Sequence, residues 1–96
     1  MRNQIVAENF SITPTIDHEV NSLIESIEQT LPKNSSVRIS LKKSQSHQFS
    51  VTLLGKAWHK TIVSKNEQPN LYLALALAKS HFIQKYRTLR DKQLKN

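Results

Sequence analysis

The chain reads as an α+β protein of order β-α-β-β-β-α, a four-stranded sheet with two helices packed on one face. Three observations predict it. Apolar residues recur at spacings of three and four from Ile16 to Leu31. Apolar and polar residues alternate through 37–42 and again through 49–53. From Leu71 onward, strong helix formers run to Asn96 without a Gly or Pro. One apolar stripe per helix and one apolar face per strand are most economically buried with both helices on one side, which leaves the other sheet face wet.

Residues 4–10, QIVAENF, form a short first strand with Ile5, Val6 and Phe10 as its apolar content. Thr13 then offers an N-cap and Pro14 suits the first helical position, where a missing N–H costs nothing. Ile16, Val20, Leu23, Ile24, Ile27 and Leu31 make one stripe of the first helix, which Pro32 closes. Asp17, Glu19, Glu25 and Glu28 lie off that stripe and read as a solvated face rather than as acid–base machinery.

After a turn at Lys33-Asn34-Ser35, residues 36–43 alternate, with Val37, Ile39 and Leu41 to one side and Arg38, Ser40 and Lys42 to the other. A polar loop at 44–47 leads to a third strand over 48–54, with Phe49, Val51 and Leu53 inward. Gly55-Lys56 is read as the next turn, with the chain's one glycine supplying a positive φ. A fourth strand follows over about 57–64, and its pattern leaves two facings open. Either Ala57, His59, Thr61 and Val63 or Trp58, Lys60, Ile62 and Ser64 point to the core. Should the second set face outward, Trp58 and Lys60 would share the open sheet face, where an aromatic beside a cation can stack on a base. Against that, tryptophan is strongly buried on average.

The second helix starts within two residues of Pro69, which suits a first helical position. It is apolar nearly all round from Leu71 to Ile83, which predicts burial. From Gln84 on, Lys85, Arg87, Arg90, Lys92 and Lys95 crowd its last turns. Roughly 25 residues at about 1.5 Å each reach about 37 Å, so the basic end is expected to overhang the core.

Ninety-six residues allow one modest core, hence a single domain over 1–96. Cysteine is absent, which excludes disulfides and thiolate metal sites. The sequence has no long apolar run and no charged-then-apolar leader, so a cytoplasmic protein is expected. The net charge of +7 is unevenly spread. Up to Pro32, Arg2 stands against five acids, a balance of −4; from Lys33 on, 13 basic residues stand against two acids, a balance of +11. Such polarity attracts polyanions, nucleic acid first and an anionic membrane surface second. No Gly-rich phosphate loop, nucleophile elbow or metal-spaced cluster is present, and His18, His47, His59 and His81 are scattered over different elements. Neither an enzyme nor a cofactor is expected.

Several stretches together resemble the short ribosome hibernation-promoting factors, the sigma-54 modulation protein family that includes ribosome-associated inhibitor A. They are Ile12-Thr13-Pro14 with Ile16 and Val20, the strand Val37 through Lys42, Asn70-Leu71-Tyr72 with Ala74 and Leu75, and the ending Arg90-Asp91-Lys92. The signal is their joint placement along nearly the whole chain. The resemblance implies a fold akin to double-stranded RNA-binding domains. It also implies binding to the small ribosomal subunit and its rRNA, in the channel used by mRNA and tRNA, with translation silenced under stress or in stationary phase. Lys42 or Lys43, Arg90 and Lys92 match basic positions of the family. Lys79, Lys85, Arg87 and Arg38 are further RNA-binding candidates on their own charge. His81, Gln84 and Thr88 stand where the family has Lys or Arg, and Asn70 where it has Asp. The chain lacks the acidic tail of the inhibitor-A subgroup and the dimerising C-terminal domain of long members, so a short type, monomeric off the ribosome, with no membrane or small-molecule partner, is implied. The alternatives are a general double-stranded RNA-binding module and a protein adaptor using the acidic face of the first helix.

Overall fold

A computed structural model describes residues 5–33 and 35–94. The elements are β1 (Ile5–Glu8), α1 (Pro14–Thr30), β2 (Val37–Lys43), β3 (Phe49–Ala57), β4 (Lys60–Gln68) and α2 (Leu71–Leu94). The sheet order is β1-β2-β3-β4; β1 runs parallel to β2, and the other two pairs are antiparallel. The element order and sheet composition are those the sequence predicts. Three expectations lie outside the described residues: the start of the first strand at Gln4, the Asn34 position of the turn after the first helix, and the run of the second helix through Lys95 to Asn96.

Helix α1 begins as its sequence dictates. The Thr13 hydroxyl accepts the Ile16 amide at 3.2 Å, Pro14 opens the helix, and the Leu31 amide closes it on the Ile27 carbonyl. Val20, Ile24, Ile27 and Leu31 are buried, whereas Ile16 and Leu23 at the stripe's edge are half-buried. They pack on Val37, Ile39, Leu41, Val51 and Leu53 of the sheet and on Leu71, Ala74, Leu75, Ala78, Phe82 and Tyr86 of α2, forming one core.

The β3–β4 hairpin departs from the sequence reading. Gly55 is not in a turn and has no positive φ; it lies within β3, paired with Val37 on one side and Ile62 on the other. The turn is made by Trp58 and His59, with φ of 51° and 63°, between the paired residues Ala57 and Lys60. Two successive left-handed residues give the primed two-residue turn whose twist matches the strands. The glycine is kept for a different reason. A Cβ at Gly55 would meet Phe82 Cζ at 2.7 Å, so the bare backbone is what lets the ring of α2 lie against the sheet.

Moving the turn settles the facing of β4. Ile62 and Ser64 point into the core, and Thr61 and Val63 lie on the open face. The Ser64 hydroxyl donates to the Ala78 carbonyl of α2 at 2.8 Å, satisfying the one described buried polar side chain of the core. Trp58 and Lys60 are not companions on the open sheet face. Trp58 lies at the hairpin tip, 36% exposed, its ring stacked on Tyr86 of α2 at 5.6 Å between centroids and 8° between planes.

Helix α2 starts at Leu71, with Asn70 as its cap: Asn70 Oδ1 accepts the Tyr72 amide at 2.9 Å and the Leu73 amide at 3.3 Å. Pro69 therefore precedes the cap instead of taking the first helical position. The first half of α2 is not buried all round either, since Tyr72 and Leu73 are about half exposed. The stripe Leu71, Ala74, Leu75, Ala78, Phe82 and Tyr86 is buried in the core, with Ile83 and Leu89 half-buried against it, because a single layer of sheet can cover only one side of a helix.

Candidate nucleic-acid interface

Strand pairing turns the open sheet face into a grid. Across it, Glu8 neighbours Lys42, then Ser50, then Glu67. The next row is Val6, Ser40, Thr52, Lys65; the row beyond places Arg38 beside Leu54 and Val63, and Lys56 lies opposite Thr61. Lys42 is thus flanked by a carboxylate, while Arg38 and Lys56 sit toward the hairpin end without an acid among these neighbours. Ser36, Arg38, Leu54, Lys56 and Thr61 line a shallow hollow there.

α2 runs antiparallel to β4, as the contacts Ser64 to Ala78, Val63 to Lys85 and Trp58 to Tyr86 show. The basic end of the helix therefore lies beside the hairpin tip. Lys85 Nζ donates to the Val63 carbonyl of the edge strand, and Lys60, Lys85 and Leu89 line a common hollow. Arg87, Arg90 and Lys92 are exposed on the final turns. Arg90 Nε lies 3.7 Å from the carboxylate of neighbouring Asp91, both well exposed, a contact worth little in water. Lys56 and Lys60, on strands, and Lys85, Arg87, Arg90 and Lys92, on the helix, gather at one end of the molecule. Among the described residues no helix is long and apolar enough to cross a membrane, and no group of three or more His, Cys, Asp or Glu could hold a metal ion.

The profile of the Sigma 54 modulation protein / S30EA ribosomal protein family matches residues 3–93. The chain belongs to this family. No curated protein sequence matches it. Its fold is similar to that of the Thermus thermophilus Protein Y N-terminal domain, with a TM-score of 0.79 at 13% identity, over 91% of this chain and 96% of that one. It is also similar to a ribosomal subunit interface protein from Coxiella burnetii, with a TM-score of 0.63 at 18% identity, over 97% of each chain.

The candidate residues of this S30EA-family chain do not form one patch. Lys42 and Lys43 are adjacent in β2 and so point to opposite sides of the sheet. Lys42 is exposed on the open face. Lys43 turns to the helix side, its Nζ 5.6 Å from the centre of the Phe49 ring, at the end of the sheet where α2 begins. Arg90 and Lys92 lie about 20 residues further along α2, roughly 30 Å away at about 1.5 Å per residue. Lys79 borders the groove between the helices, which Glu19 also lines. Lys85, Arg87 and Arg38 lie toward the basic end. Sequence reading omitted Lys56 and Lys65 and considered Lys60 only as a neighbour of Trp58 on the open face; Lys56 and Lys60 complete that end, and the misplaced turn hid their place in it. His81, Gln84 and Thr88 are exposed along one side of α2, leaving an uncharged strip among its cations.

Proposed function

We propose that this protein is a ribosome-associated translation silencer, a single non-catalytic domain that binds ribosomal RNA of the small subunit in the mRNA and tRNA channel and acts in the cytoplasm under stress or in stationary phase. Membership of the S30EA family over residues 3–93 carries this reading. The gathering of Lys56, Lys60, Lys85, Arg87, Arg90 and Lys92 supports it, because phosphate contacts from one end of a domain can seat it in an RNA-walled channel without reading sequence. On this view Lys42, Arg38 and Lys65 add contacts from the open sheet face, and Lys43 and Lys79 from the helix side.

Sucrose-gradient sedimentation of cell extract, with detection of this protein across the fractions, tests the proposal. The protein should travel with small subunits or whole ribosomes and inhibit cell-free translation. A variant with Lys42, Arg90 and Lys92 replaced by Gln should stay near the top of the gradient and lose inhibition, whereas Asp17→Asn with Glu19→Gln should lose neither. All five side chains are exposed, so both variants should fold. Loss with the acids and retention without the bases would mean that the partner is a protein reached through α1.

A further inference from the structure

At the end of the sheet opposite the basic cluster, a cleft of about 540 Å³ opens where three junctions meet: the β1–α1 loop, the β2–β3 hairpin and the start of α2. That volume is within the range of sites that hold small organic groups. Its walls include three aromatic rings. Phe10 and Phe49 meet edge to face, 5.7 Å between centroids and 83° between planes, and Tyr72, 49% exposed, lines the cleft from the start of α2. Phe10 and Phe49 are only half-buried, so their rings remain accessible from the cleft. Lys43 is the one formally charged residue in its lining.

From this arrangement we propose that the cleft takes a single unpaired nucleobase of RNA, stacked against the aromatic walls, with the adjoining phosphate held by Lys43. The inference rests on the RNA-binding reading and adds to it a site for a base. An apolar side chain would suit the rings but has no use for the lysine. A bare phosphate would suit the lysine but leave the rings wet. A nucleotide, with one flat apolar face and one anionic group, uses both, and base–aromatic stacking is tolerant of sequence. Lys43 Nζ sits at the ring of Phe49 in the free protein, a cation–π contact between two half-buried residues that it can exchange for a phosphate oxygen. Asn70 has committed its Oδ1 to the Tyr72 and Leu73 amides, so what it presents at the lip is its Nδ2, a donor suited to a base-edge acceptor. The positive end of the α2 dipole lies at the same place. A base within a duplex cannot offer its face to such a slot, so the occupant is a looped-out or single-stranded nucleotide.

The test is an aromatic-resonance NMR titration of the full chain with single-stranded hexa-adenylate RNA, adenosine 5′-monophosphate and ribose 5-phosphate. Trp58, at the far end of the sheet, serves as internal control. Both adenine-bearing probes should shift the Phe10, Phe49 and Tyr72 ring signals and leave Trp58 in place under adenosine monophosphate; ribose 5-phosphate should move at most Phe49, whose ring Lys43 leaves for the phosphate, and not Phe10 or Tyr72. Tyr72→Ser, an exposed change, should weaken hexa-adenylate binding by about tenfold, as should Lys43→Gln. Equal ring shifts from ribose 5-phosphate would reduce the site to a phosphate contact and overturn the proposal. So would ring shifts from an acidic peptide of random sequence at lower concentration than the RNA, or no ring shift from either adenine probe. Wild-type sedimentation separates the two readings: a protein that travels with ribosomes yet shows no ring shift loses the base site alone, and one that shows the shifts but never sediments loses the ribosome reading alone.

Discussion

At Gly55 the packing of α2 on the sheet comes down to one missing carbon. Phe82 is fully buried, and a Cβ opposite it would lie 2.7 Å from Cζ and 3.2 Å from Cε2, with the Ser36 carbonyl at 3.4 Å on another side. The ring has nowhere to retreat, since Ala78 and Tyr86, one turn away on either side along the helix, are buried too. Gly55→Ala should therefore cost about 1–3 kcal/mol through overpacking, in spite of alanine's smaller backbone entropy loss. In a domain of this size thermal denaturation should register it as a fall in Tm of roughly 4–8 °C per kcal/mol. Adding Phe82→Leu, which shortens the intruding ring, should make the Gly55→Ala step cheaper than it is in the parent. Additivity of the two changes would show that the glycine is there for some reason other than this contact.

At the scale of elements, the β3–β4 hairpin shows what the sequence could and could not tell. The helices were legible because Thr13-Pro14, the three-four spacing of α1 and the run of helix formers after Pro69 are strong local signals. β2 and the first half of β3 were legible because their alternation is strict. The hairpin turn was not. Trp58 and His59 carry none of the Asn-Gly or Asp-Gly chemistry of primed turns, and Gly55 drew the turn three residues too early. That one slip left the facing of β4 undecided, hid Lys56 from the site and tied Lys60 to the open face instead of the basic end. What holds the turn is tertiary: Trp58 stacks on Tyr86 of α2, offsetting the cost of left-handed backbone at two non-glycine residues. His59, exposed and next to that stack, takes the same backbone cost. His59→Gly should accordingly stabilise the protein by about 1 kcal/mol, read as a higher denaturation midpoint with an unchanged denaturant slope. A lower midpoint would mean that the imidazole makes a contact worth more than the strain. The candidate site was legible in charge but not in place, because adjacent lysines such as Lys42 and Lys43 look alike in sequence and only the strand's direction sends them to opposite faces.

Over the whole molecule, the division of charge along the sequence becomes a division in space. The principal extents are 46 × 28 × 17 Å, and the 24 residues of α2, about 36 Å long, account for most of the long axis. Asp17 and Glu19 ride on α1, over β2, while Lys56, Lys60, Lys85, Arg87, Arg90 and Lys92 cluster where α2 ends beside the hairpin tip. Six cations within one end form a field that a spread of +7 over the surface would not, and the field is what an RNA backbone would meet first. If about five of them displace counterions on binding, log affinity should fall against log salt with a slope of roughly −3.5 to −4.5. Between 50 and 200 mM KCl this amounts to a loss of about 100- to 500-fold, measurable by fluorescence anisotropy with labelled small-subunit RNA. Replacing Arg87, Arg90 and Lys92 by Gln should flatten the slope by about two to three, since each neutralised phosphate contributes close to one. Asp17→Asn with Glu19→Gln should leave the slope alone, because those acids sit on the other helix and touch no phosphate in the proposed mode. An affinity that hardly responds to salt in the parent protein, or a slope that stays put when the three helix-end cations are gone, would mean that the basic end is only a solvated surface and that RNA is gripped elsewhere on the molecule.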